Sequence, residues 1–236
     1  MQIRPEQLEQ FLKQGLSSCY LVTGAEPLIV QECADAIRVA AREHGCVDRE
    51  RIDTSDKAGW QNLVQSASAM SLFSDKKLIE VQVDSGKPGT EGSKAIQEYL
   101  SMESDDILLI VAGKIDKQSQ RAKWYTALDQ RGAIITVWPV GRREMPSWIQ
   151  GRLKQRGMSA DRDAVALLAE RVEGNLLAAA QEIEKLALLV SDKHLSVEKI
   201  AESVGDSARY NTFGMVDTAL AGDARSALKA LRGLQA

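Results

Sequence analysis

Residues 107 to 113 read Ile-Leu-Leu-Ile-Val-Ala-Gly. Every side chain before the glycine is apolar, so neither face of this run is suited to water. A strand with one wet face alternates apolar and polar residues, whereas a strand covered on both faces does not. The fold must therefore cover this strand on two sides. A mostly parallel sheet with helices on both faces does so.

The flanking sequence has the same rhythm. "SCYLVTG" (residues 18 to 24), "KLIEVQV" (77 to 83) and "AIITVWP" (133 to 139) read as further strands, and "RERIDT" as a short one. Helix signals lie between them. "PEQLEQFLKQG" is amphipathic with Pro5 near its start, and in "PLIVQECADAIRVAAREHG" the residues Val30, Cys33, Ile37 and Ala41 recur at near-helical spacing up to Gly45. Further helices are expected around Trp60 to Ser66, through Tyr99, and over Gln118 to Leu128. After Pro139 the strand signals stop. "EMPSWIQGRLKQRG", "ADRDAVALLAERVEG" and "NLLAAAQEIEKLALLV" read as three helices. Gly157 and Gly174 end the first two, and Leu176, Ala180, Ile183, Ala187 and Val190 form a stripe on the third. A short helix is expected around Val197 to Ser203. A domain boundary falls near Gly141.

The chain has 236 residues, 44% apolar and 27% charged, enough for one large or two smaller packed domains. A net charge of −3 argues against a protein whose main task is to coat nucleic acid. Three cysteines without a C-x-x-C pair suggest reduced thiols. His44 and His194 have no ligand-spaced partner, so no metal site is expected. No apolar run reaches membrane-spanning length, and "MQIRPEQLEQ" lacks a signal-peptide core. Together these point to a cytoplasmic protein with no membrane partner.

No autonomous catalytic machinery emerges. The first strand-to-helix turn, "LVTGAEPLIVQE", sits where a phosphate-binding loop would, but Gly24 stands alone. Such a loop needs a second glycine, a lysine and a hydroxyl, and those places hold Ile29, Val30 and Gln31. Glu26 puts a negative charge where a helix N-terminus would meet an anion, and Pro27 suits an ordinary first turn. This is a degenerate nucleotide turn, not expected to bind ATP, and no cofactor is expected. Asp84 at the end of a strand reads as a solvated turn residue, and Asp105 and Asp106 as exposed charges. Lys114, Lys117, Arg121 and Lys123 form a basic cluster beside Trp124 and Tyr125. It reads as a wet helix face, with a nucleic-acid contact as the functional alternative. Arg142 and Arg143 read the same way.

Four stretches together resemble one family, the delta subunit of the bacterial DNA polymerase III clamp loader. "YLVTGAEPLIVQE" is similar to its degenerate nucleotide turn, and "AMSLFSDKKLIEV" to its clamp-binding segment and following strand. "DDILLIVAGKIDK" is similar to its next central strand, and "EGNLLAAAQEIEKLALL" to the signature helix of its second domain. The resemblance implies an AAA+-like (RecA-like) α/β domain over residues 1–140, a small all-α lid over 141–208, and the start of a helical collar over 209–236. The resemblance implies a truncated collar, since the chain ends after its first expected helices; on the residues alone, Phe213, Val216, Leu220, Leu228 and Leu231 fit either small helices folded back at a chain end or a truncated third domain.

On physical grounds alone, Met70, Leu72 and Phe73 would be core anchors. The resemblance instead makes Leu72 and Phe73 a hydrophobic plug for the ring-shaped sliding clamp (the beta subunit), supported by Met70. Ala69 stands where general clamp-binding peptides often carry Gln. The implied role is a non-catalytic subunit that binds the clamp and opens it, or traps it open, for loading onto primed DNA. Its implied partners are the delta prime and ATPase motor subunits, with DNA touched weakly or indirectly. The rival readings are a nucleotide-binding AAA+ motor subunit and a DNA-binding module.

Overall fold

The computed structural model describes residues 1–54, 57–68, 76–102 and 104–200. The chain divides into two compact units, one ending at Pro139 and one starting at Val140.

The first unit is an α/β sandwich. A six-stranded sheet runs in the order β1-β6-β2-β5-β4-β3, with every pairing parallel. The strands are β1 (Gln2–Ile3), β2 (Cys19–Gly24), β3 (Asp48–Ile52), β4 (Lys77–Val83), β5 (Ile107–Ala112) and β6 (Ala133–Val137). The helices are α1 (Leu8–Gln14), α2 (Pro27–Glu43), α3 (Lys57–Ser68), α4 (Gly89–Ser101) and α5 (Lys123–Arg131).

The strand that most constrains the sequence lies inside the sheet, between β2 and β4. All its residues are buried, and its pleat divides them between two layers. Ile107, Leu109 and Val111 join a core with α1 and α2, which supply Leu8, Leu12, Val30, Cys33 and Ile37. Leu108, Ile110 and Ala112 join a second core with Trp60 and Leu63 of α3, Ile96 and Tyr99 of α4, and Trp124 and Leu128 of α5. Each fully buried Leu or Ile contributes about 1.5–3 kcal/mol. A polar residue anywhere in β5 would therefore lose packing on one layer or the other.

Three details differ from the sequence reading. The edge strand β1 pairs with β6 yet has only 2 residues, too few to show a period. The expected helix from Gln118 is broken: a 3-10 turn covers Ser119–Arg121, and Ala122 is extended at ψ 150° before α5 begins. Asp116 drives the break, because its carboxylate accepts the Ser119 N–H at 2.7 Å and organises a separate turn. Asp106, expected as an exposed charge, is partly buried and accepts the Lys77 N–H at 2.9 Å.

The second unit holds α6 (Met145–Gln155), α7 (Arg162–Arg171) and α8 (Leu176–Leu189). Gly157 and Gly174 follow α6 and α7 at φ 68° and 88°, backbone that residues with a Cβ rarely adopt. Asn175 caps α8 by accepting the Ala178 N–H at 3.0 Å. The buried stripe of α8 is Leu176, Ala179, Ile183 and Leu186, so its phase is rotated from the expected one. Ala180 and Ala187 are partly exposed, and their preceding neighbours Ala179 and Leu186 take the inward positions. Strand structure also persists here: β7 (Ser159–Ala160) and β8 (His194–Leu195) form a parallel pair of 2 residues each.

Candidate functional site

The β2–α2 turn is tight. Only Ala25 and Glu26 separate the last residue of β2 from the first of α2. Gly24 is closed in by β6: a Cβ placed there would lie 2.3 Å from the Val137 carbonyl oxygen. The Glu26 side chain makes no cap bond, and burial raises its carboxyl above its ordinary pKa. Pro27 at N1 removes one of the N–H groups that a helix start could offer an anion. The three positions where a phosphate loop needs its second glycine, lysine and hydroxyl are committed elsewhere. Ile29 and Val30 pack into the α1/α2 core, and the Gln31 amide bonds Asp35 at 3.2 Å, one helical turn on. The nearby Thr23 hydroxyl donates to the Gly113 carbonyl at 2.6 Å.

The basic cluster lies on the connection from β5 to α5, where Lys117 and Lys123 are exposed and Lys114 and Arg121 at least partly so. Asp116 sits among them and pairs with Lys87 at 2.8 Å. The bond to Lys87, together with those from Ser119, holds the Asp116 carboxyl far below the usual carboxylate range. Trp124 and Tyr125, beside the cluster in sequence, are 4% exposed and meet edge to face at 5.8 Å in the core. Neither offers an open ring face to a base. Asp84, exposed at the end of β4, accepts from the Gln82 amide at 2.9 Å. Among the described residues no group of three His, Cys, Asp or Glu side chains could hold a metal.

Met70, Leu72 and Phe73 lie outside the described residues. Their flanks are described. On one side α3 is anchored by buried Trp60 and Leu63, and Trp60 packs so closely on α4 that a Cβ at Gly92 would fall 2.6 Å from its ring. On the other side β4 begins at Lys77, whose ammonium reaches Glu50 Oε2 at 2.9 Å. The Ser66 hydroxyl donates to the other Glu50 oxygen. Burial raises the Glu50 pKa, but the bonds from Ser66 and Lys77 outweigh it and the net shift is downward.

The sequence reading missed this cluster and a second one on the opposite face of the sheet. Glu80 of β4 is 1% exposed, yet both its oxygens are held by arginines. Arg38 of α2 donates to Oε1 at 2.7 Å and to Oε2 at 3.0 Å, and Arg49 of β3 donates to Oε2 at 2.8 and 3.0 Å. Burial opposes the Glu80 charge, but the two guanidiniums prevail and lower its pKa. The available signal was a charge within an apolar strand, in "KLIEVQV", opposite the charged alternation of "RERI". A third cluster lies in the second unit, where His194 Nδ1 is 2.9 Å from the Ser159 hydroxyl and Nε2 is 3.4 Å from Asp161. His194 and Asp161 are about half exposed, and the three residues tie β7 to β8 at the surface. Burial pushes the Cys19 and Cys33 thiols up to about 11, so both are unreactive near neutral pH.

Comparison with known proteins agrees along the chain. A family model described as DNA polymerase III, delta subunit, matches residues 20–137. The chain is 32% identical to DNA polymerase III subunit delta of Escherichia coli (strain K12), over 100% of this chain and 69% of that one. It is 31% identical to the Haemophilus influenzae subunit of the same name, over 99% and 69%. Among solved structures, the Bacillus subtilis DNA clamp loader delta protein superposes with a TM-score of 0.67 at 18% identity, covering 98% of this chain and 71% of that one. The topology is thus shared with that protein, and by sequence the chain belongs to the DNA polymerase III delta subunit family.

Proposed function

We propose that this chain binds a sliding clamp through Leu72 and Phe73, with Met70 in support, and opens the ring or traps it open for loading onto primed DNA. The observation that supports this reading is that "AMSLFSDKKLIEV" stands in a chain of this family, directly after α3 and running into β4, with Ser66 and Lys77 both bonded to Glu50. The β2–α2 turn supports a role without ATP turnover. Its two-residue span, the carboxylate at its exit and the commitment of Ile29, Val30 and Gln31 to other contacts leave no cradle for phosphates. ATP is then handled by motor subunits in the same loader, with delta prime as a further partner, in the cytoplasm. Residues 1–140 serve as the clamp-binding AAA+-like domain, 141–208 as the lid and 209–236 as the beginning of the collar.

Energetics require more than the plug. Burying Leu72 and Phe73 contributes about 1.5–3 kcal/mol each. That sum corresponds to binding on the order of millimolar or somewhat tighter. The adjoining surface of the first domain supplies the rest, and its differential contact with the open and closed rings sets the direction of the shift. The test is binding to the cognate sliding clamp by the parent chain and by Leu72→Ala/Phe73→Ala. Binding is expected to weaken at least about a hundredfold while the thermal midpoint holds. Undiminished binding by the folded double variant would move the interface elsewhere.

A further inference from the structure

We propose that Glu50 is a positioning residue for the clamp-binding segment: its carboxylate ties the end of α3 to the start of β4 and sets the stem from which Leu72 and Phe73 are presented. The inference rests on the clamp-binding reading above. The register places Glu50 opposite Ile79, on the face of the sheet that α3 covers. From there it reaches diagonally to Lys77 and upward to Ser66. Its two oxygens are divided between these partners, one for the residue that precedes the segment and one for the residue that follows it.

Burial shows that the tie is built into the fold. The Ser66 residue is 5% exposed and the Lys77 side chain 8%, whereas the Glu50 side chain is 41% exposed. A nearly buried ammonium persists only with a charge partner, so Lys77 is committed to Glu50. The Lys77 backbone is held as well, since its N–H donates to Asp106 at 2.9 Å. One carboxylate bonded to both residues fixes the end of α3 relative to the start of β4. Flanks held in advance need not be brought into place when a partner binds. Glu80 does not compete for this role, because it points to the opposite face and is held by Arg38 and Arg49.

The test uses the full chain and the cognate sliding clamp. Affinity is measured for the parent, Glu50→Ala, Glu50→Gln and the swap Glu50→Lys/Lys77→Glu, each with and without Leu72→Ala. Glu50→Ala is expected to raise Kd about three- to tenfold, and the swap to restore most of the loss. The Glu50 effect should disappear in the Leu72→Ala background, because the carboxylate acts through the plug. A Kd unchanged in folded Glu50→Ala overturns the proposal, as does a loss that adds in full to that of Leu72→Ala. Should Glu50→Ala lower the thermal midpoint, Glu50→Gln, which keeps an acceptor for Ser66, decides by the same criteria. A parent chain that fails to bind the clamp sinks the functional reading and this inference with it. A binding parent indifferent to Glu50 sinks the inference alone.

Discussion

Glu80 and Glu50 stand on neighbouring strands, on opposite faces of one edge of the same sheet, and each holds two partners. They differ in which member of the cluster is buried. At the first, the carboxylate is 1% exposed and two arginines come to it from α2 and β3, with Arg38 itself 15% exposed. At the second, the carboxylate is 41% exposed and the buried member is the lysine. Removing Glu80 leaves the partly buried Arg38 guanidinium with Asp35 alone, a carboxylate on the exposed side. Removing Glu50 strands an ammonium on a flexible four-carbon stem, at a strand start. One cluster therefore secures the fold, and the other is free to set the geometry of what it ties.

The largest effect should come from Glu80→Ala. Breaking one side of a buried ionic cluster costs about 3–5 kcal/mol, and chemical denaturation should show a loss near the lower figure because Arg49 is half exposed and Arg38 keeps Asp35 as a partner. A loss under about 1 kcal/mol would erase the distinction between the two clusters.

Acid sharpens the same contrast. The folded-state pKa of Glu80 is lowered, so its stabilisation is fully present above the ordinary carboxylate pKa and fades as pH falls through the lower folded value. Below about pH 4 the parent should lose stability more steeply than Glu80→Gln. Parallel curves for the two would show that Glu80 does not titrate with unfolding.

The smallest effect should be that of Lys77→Met. It replaces the buried ammonium with an apolar chain of similar length and leaves Glu50 in contact with water. Stability should change by less than about 1 kcal/mol, read as a nearly constant denaturation midpoint.

Much of the architecture was legible in the sequence because packing leaves a local record. The apolar runs of β2, β4 and β5 and the spacing of Val30, Cys33, Ile37 and Ala41 each report burial within a few residues. Where structure depended on distant partners, that record was absent. Glu80 looks like a defect in "KLIEVQV" until Arg38, far back in the chain, is brought over it by α2. Ser66 and Lys77 look unrelated until β3 places Glu50 between them. The break before α5 was hidden in one side-chain bond from Asp116 to Ser119. The phase of α8 was misread because alanine and leucine both satisfy an apolar stripe, and only packing chooses between them. Trp124 and Tyr125 were read as neighbours of a charged surface when helix rotation turns them inward.

The turn after β2 also limits what a single substitution could achieve. Position 30, where a phosphate-binding loop would need lysine, is a valine in the layer shared with α1, and position 29 packs beside it. A lysine placed at position 30 would push an ammonium toward that layer, and a carboxylate at 26 would still guard the entrance. Installing phosphate affinity here would require a longer turn, a repacked layer and a changed charge together. Length, packing and charge bear on this turn together, so no one substitution would make it a phosphate cradle.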